Sequence, residues 1–122
     1  MNGYFLVFIG GGLGSLARFL MIKLIDPQKF NFPYATLIAN VFSCFILGIV
    51  VGYFMDKTSD SPIKLLLLTG FCGGFSTFST FAYESNLLFT SQHFTSAIAN
   101  IVLNFALSIL AIYAGTFITK IF

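Results

Sequence analysis

Hydrophobic residues fall along this chain in four long blocks that charges interrupt at only a few places. Uncharged runs extend from Met1 to Ala17, Phe30 to Met55, Leu65 to Tyr83 and Ser85 to Thr119. The last run holds a polar cluster, Thr90 to Ser96, which leaves Ala97 to Thr119 as its apolar part. A bilayer core of about 30 Å takes roughly 20 apolar residues in a helix, at about 1.5 Å each. The pattern therefore predicts one all-α membrane domain over residues 1–122 with four transmembrane helices, at about residues 4–25, 33–54, 62–88 and 97–119.

Polar positions inside these blocks follow helical spacing. In the first span Gly10 and Gly14, like Gly11 and Ser15, lie four apart, a spacing that lets a second backbone approach closely. In the second, Pro33 suits the first helical turn, and Gly48 and Gly52 form another small-residue pair. Thr36, Asn40 and Ser43 fall at i, i+4 and i+7, one polar stripe on an apolar helix. In the fourth, Ser96, Asn100, Asn104 and Ser108 recur every four residues. An intramembrane Asn can bind helices together, typically for about 0.6 kcal/mol, or it can line a path. Stacked neutral amides and hydroxyls suit the second role, because their N–H and O–H groups can donate to an anion.

The third span departs most from an ordinary membrane helix. Residues 70–84 read GFCGGFSTFSTFAYE, with Gly70, Gly73, Gly74, Ser76 and Thr77 weakening the helix interior. A mid-membrane break is expected there, with freed carbonyls of the kind that hold cations in broken membrane helices. Phe75, Phe78 and Phe81 step by three. Such a stripe packs a core, or it presents the positive edge of the phenyl quadrupole to an anion without trapping it.

Composition agrees with the pattern. The chain is 57% hydrophobic and 8% charged, with a mean hydropathy of +0.95, whereas soluble domains average roughly 25% charged residues. It reads as an integral membrane protein. No Lys or Arg precedes the first apolar run and glycines recur within it, so a cleaved leader is not expected. Cys44 and Cys72 lie within spans and read as small apolar residues rather than a disulfide. His93 falls in a loop, which leaves a side-chain metal site without support.

The charges that remain raise two questions. Arg18 lies in the first span, where a charge costs about 2.5–3.5 kcal/mol on insertion scales. It reads as a snorkelling side chain, a carbonyl-bound anchor or the rim of an anion vestibule. Orientation is the second question. Lys57, Lys64 and Lys120 face one side of a four-span chain; Lys23, Lys29 and Arg18 face the other. With no excess on either side, the positive-inside rule selects no orientation. Insertion both ways as an antiparallel pair and a weak bias to one orientation both fit. Four helices make a thin bundle, and a two-fold dimer is the commonest closed form.

Three segments then carry a resemblance. GGGLGSLARF at Gly10 to Phe19, ATLIANVFSCFILG at Ala35 to Gly48 and GFCGGFSTFSTFAYE at Gly70 to Glu84 resemble the signatures of the Fluc/CrcB fluoride channels over three of the four spans. The resemblance implies an antiparallel, dual-topology homodimer in the cell (inner or plasma) membrane. It further implies two anion pathways that export fluoride passively and a sodium ion at the dimer centre. By motif position, Phe78 and Phe81 would be the pore-facing rings, Asn40 the pore-lining amide, and Ser79 and Thr80 the hydroxyls between the rings. Asn104 and Ser108 would be polar pore groups of the fourth span. The backbone carbonyls of Gly73 and Ser76 would hold sodium, with Arg18 and Glu84 as vestibule or structural groups. Ala35 and Ser43 stand where the family has Gly, Phe19 where it has Tyr, Phe75 where it has Leu, and Ser76 where it has Thr. None of these changes removes a donor or a ring from the implied pathway.

Two rival readings remain. A proton-coupled exporter of the small multidrug type also has four spans, but it needs a carboxylate buried mid-membrane. Of Asp26, Asp56, Asp60 and Glu84, only Glu84 falls in a span, near its end. An accessory protein would use its polar residues solely to bind helices. No nucleophile–base pairing or nucleotide-binding loop points to an enzyme, and nothing points to nucleic acid.

Overall fold

The computed structural model describes residues 2–25, 32–54 and 61–122. Among these the chain is all helix and turn, with no strand. Helix α1 is Gly3–Leu24, and Asn2 caps it by accepting the Tyr4 N–H at 3.0 Å. Helix α2 is Tyr34–Tyr53, entered directly after Pro33. Helix α3 covers residues 62–75, with Pro62 at its first position. Its middle, Leu65–Cys72, is wound more loosely as a π-helix, and Gly73–Phe75 returns to α geometry. Helix α4 is Phe78–Thr90 and helix α5 is Phe94–Ile121.

Four helical stretches are long and apolar enough to cross a membrane: Gly3–Leu24, Tyr34–Tyr53, Pro62–Thr90 and Phe94–Ile121. Their outward faces carry large apolar side chains such as Tyr4, Phe8 and Leu24, as lipid contact requires. The α4–α5 turn closes on a helix C-terminus in which His93 N–H donates to the Leu88 carbonyl and Gln92 N–H to that of Phe89. Gln92 there takes the left-handed φ of 63° that such a cap demands.

Packing follows the small residues. Helix α1 lies against α3, and α2 against α5. A Cβ at Gly10 would overlap the Leu66 carbonyl, and one at Gly14 the Phe71 carbonyl. On the other pair, Gly48 faces the Ile112 carbonyl and Gly115 that of Phe45. Backbone meets backbone at both seams, the approach that the four-residue spacing of small residues predicts. Lys29 and Lys57 of the charge balance, and Asp26, Asp56 and Asp60, lie outside the described residues.

Candidate functional site

Between α3 and α4 helical geometry stops for two residues. Ser76 (φ −91°, ψ 150°) and Thr77 (φ −148°, ψ 126°) are extended, and Phe78 resumes the helix. In an unbroken helix the Thr77 N–H would bond the Gly73 carbonyl and the Thr80 N–H that of Ser76. Here Thr77 donates to Asn40 Oδ1 at 3.2 Å, and Thr80 donates to Thr77 Oγ1 at 3.4 Å. The carbonyls of Gly73 and Ser76 are thereby released from the helical ladder. The Gly74 carbonyl, released in the same way, accepts from Arg18 Nε at 3.1 Å. This bond is the one that the carbonyl-bound reading of Arg18 expects.

The segment before the break is tied to α2. The Cys72 carbonyl accepts from Ser76 Oγ at 2.8 Å and from Ser43 Oγ at 3.2 Å. Ser43, where a glycine would have packed more closely, uses its hydroxyl to hold this turn. Cys72 and Cys44 are both free thiols.

Against the break lies a groove of ≈ 240 Å³. Asn40, Ser76, Phe78, Phe81, Asn104 and Ser108 all line it, so three segments distant in sequence converge on one space. The rings of Phe78 and Phe81 are 5.7 Å apart, and Phe105 meets Phe81 edge-on at 5.9 Å. Their surroundings differ: Phe78 is 72% exposed and Phe81 only 7%. Asn40 Nδ2 donates across the groove wall to Asn104 Oδ1 at 2.9 Å.

Ser79, Thr80 and Gly73 do not line this groove. Ser79 shares a hydrogen bond with Thr77 Oγ1 at 2.9 Å, and both Ser79 and Thr80 belong to the start of α4. Glu84 lies elsewhere, its Oε1 accepting from Thr36 Oγ1 at 2.8 Å while Oε2 is buried without a partner among the described residues. Five groove residues escaped the sequence reading: Cys44, Thr77, Phe105, Ile109 and Ile112. Cys44 was within reach, because it stands one turn beyond Asn40 on the same face. Phe105 follows Asn104 directly and carried no spacing signal of its own.

Four long apolar helices, with an open groove that carries a few polar groups on its wall, fit an all-helical, multi-pass protein of the cell membrane. Residues 5–116 match a family model described as CrcB-like protein, Camphor Resistance (CrcB), and the chain belongs to that family. Curated relatives agree. The chain is 38% identical over 120 residues to "Fluoride-specific ion channel FluC" of Azobacteroides pseudotrichonymphae, covering 97% of this chain and 96% of that protein. It is 42% identical over 112 residues to the FluC of Escherichia coli, 88% of each chain. "Fluoride-specific ion channel FluC 1" of Yersinia pseudotuberculosis is 42% identical over 106 residues, 86% of this chain and 84% of that one. The resemblance read from the three motifs is thus a family membership, in a family of ion channels and not of enzymes.

Proposed function

We propose that this protein is a fluoride-selective channel that lets fluoride leave the cell passively and so relieves its toxicity. The observation that carries the reading is the groove. An amide, a hydroxyl and two phenyl rings from α2, α5 and α4 meet beside a helix break, in a chain whose relatives are named for fluoride. Fluoride is small and strongly hydrated. It enters only where donors replace its water, and it leaves only where no single contact is deep. The Asn40 amide and the Ser108 hydroxyl are neutral donors. The edges of Phe78 and Phe81 attract an anion weakly. An inside-negative potential drives a monovalent anion outward by about 2.3 kcal/mol per 100 mV, so no coupled ion is required.

The same proposal includes assembly as an antiparallel, dual-topology homodimer with two anion pathways and a broken third span at mid-membrane. The even split of cationic residues supports insertion in both orientations. It also includes a structural sodium ion on the carbonyls of Gly73 and Ser76. Support comes from their release from helical bonding and from the preference of hard monovalent cations for oxygen donors. A bound cation would supply positive charge near the pathway, offsetting part of the cost of an anion in a low dielectric.

The test is efflux from vesicles reconstituted with the purified protein. Fluoride should leave rapidly and chloride should not. Phe78→Ile or Phe81→Ile should slow fluoride at least tenfold while the protein still assembles, a rise of roughly 1.4 kcal/mol or more in the barrier. Fluoride and chloride crossing at equal rates in the unaltered protein would overturn the reading.

A further inference from the structure

Two carboxamides line the groove, yet their hydrogen bonds give them different work. Asn104 Nδ2 stands 2.8 Å from both the main-chain carbonyl and the Oδ1 of Asn100, one turn earlier on α5. A carboxamide has two N–H hydrogens, and both of Asn104's are taken there. Its Oδ1 accepts from Asn40. Asn100 is fully buried, and its own Nδ2 donates to Ser85 Oγ on α4 at 2.9 Å. Neither Asn100 nor Ser85 lines the groove.

The bonds form one directed chain with main-chain groups at two points along it. The Thr77 N–H can only donate, so Asn40 faces it with Oδ1 and turns Nδ2 toward Asn104. The Asn100 main-chain carbonyl can only accept, so Asn104 faces it with Nδ2. No carboxamide in the chain can reverse without setting donor against donor or acceptor against acceptor. We infer that Asn100 is a positioning residue: it takes both amide hydrogens of Asn104 and leaves Asn40 as the carboxamide that offers an N–H to the groove. Asn104 supplies an oxygen that orients Asn40 and makes no contact with the anion through nitrogen. Ser85 braces the far end. Asn100 thereby sets the donor count of the pathway from a position that no permeating ion touches. An Asn104 amide turned into the groove would add a donor and deepen the binding site, which slows exit.

This inference rests on the fluoride reading of the groove, and its test separates the two. Protein labelled with ¹⁵N at asparagine and reconstituted in lipid nanodiscs is titrated with sodium fluoride while the side-chain amide resonances are followed; efflux is measured in parallel. In the unaltered protein the Asn40 resonances should move with fluoride, and those of Asn104 should not. In Asn100→Leu the Asn104 resonances should become fluoride-sensitive, with efflux falling about tenfold, the factor one hydrogen bond of ordinary strength carries. Ser85→Ala, which leaves the Asn100 backbone bond intact, should change both readouts in the same direction by less and guards against a misfolded Asn100 variant. Rapid efflux in the unaltered protein with Asn104 resonances that already follow fluoride overturns the role of Asn100 and leaves the channel standing. So does an Asn100→Leu protein with unchanged spectra and flux. Absence of fluoride efflux in the unaltered protein overturns the channel, and this role with it.

Discussion

The α1–α3 seam and the groove formed by α2, α4 and α5 solve opposite problems with the same polar backbone. At the seam, Gly10, Gly14 and Gly74 bring main chain onto main chain, and no space remains for a side chain. At the groove, side chains and not glycines meet: Asn40 reaches Asn104 on its wall, while Thr36 to Glu84 and Asn100 to Ser85 bridge the helices beyond it. The α2–α5 pair contains both solutions. It closes on glycines at Gly48 and Gly115 and opens on carboxamides at Asn40 and Asn104. A membrane bundle thus places its dry contacts and its hydrogen-bonded contacts by the size and spacing of a few residues. The cost of buried amides is offset because each one finds a partner.

The largest effect should come from filling the dry seam. Gly14→Val would drive its Cβ into the Phe71 carbonyl and the Phe75 amide, and backbone cannot rotate aside as a side chain can. Overpacking typically costs roughly 1–3 kcal/mol where side chains can adjust, and this site should exceed that. Purified Gly14→Val is expected to lose its monodisperse assembly by size-exclusion chromatography. A well-behaved variant with unaltered thermal stability would mean that the seam is looser than its geometry. Gly12, which has open space where its Cβ would be, provides the control: Gly12→Ala should assemble normally.

The groove side should respond to chemistry without losing the fold. Cys44 lines the groove, whereas Cys72 is buried, with 2% of its surface exposed, and bonded to the Ser43 carbonyl. A small thiol reagent added to active vesicles should therefore modify Cys44 first and slow fluoride efflux several-fold. Cys44→Ala should conduct and resist the reagent. Equal inhibition of the Cys44→Ala protein would move the accessible thiol, and the groove with it, to another face.

How much of this was legible beforehand depends on the kind of signal. Spacing alone predicted the four spans and the close approach at Gly10 and Gly14, because a four-residue repeat defines a helix face whatever lies against it. It also grouped Asn40 with Thr36 and Ser43, and Asn104 with Ser108. What spacing leaves open is which face meets which. Thr36, Asn40 and Ser43 share a stripe, yet they bond Glu84, Asn104 with Thr77, and Cys72 respectively. Ser79 and Thr80 lie between the two phenylalanines in sequence, but neither lines the groove. The engagement of both Asn104 hydrogens was equally hidden, since it depends on a one-turn contact within α5 and not on residue type.

The smallest effect expected is none, and it bears on the rival reading of a proton-coupled exporter. Among the described residues no carboxylate or histidine lines the groove. The one acidic residue among those described, Glu84, lies on α4 with its Oε1 held by Thr36 of α2, and not in the groove. A carrier that exchanges protons needs a titratable group that the substrate and the proton reach in turn. A groove walled by amides, hydroxyls, phenyl rings, aliphatic side chains and one thiol offers no carboxylate or imidazole among the described residues to exchange protons with a substrate. Fluoride efflux should therefore follow the electrochemical gradient of fluoride alone and remain within about twofold between about pH 6 and 8. Glu84→Gln should leave this flat profile unchanged. Vesicles with a proton gradient and equal fluoride on both sides, clamped at zero potential, provide the decisive measurement. Net fluoride movement there would mean that protons and fluoride are coupled, and Glu84, though it does not line the groove, would become the first residue to change.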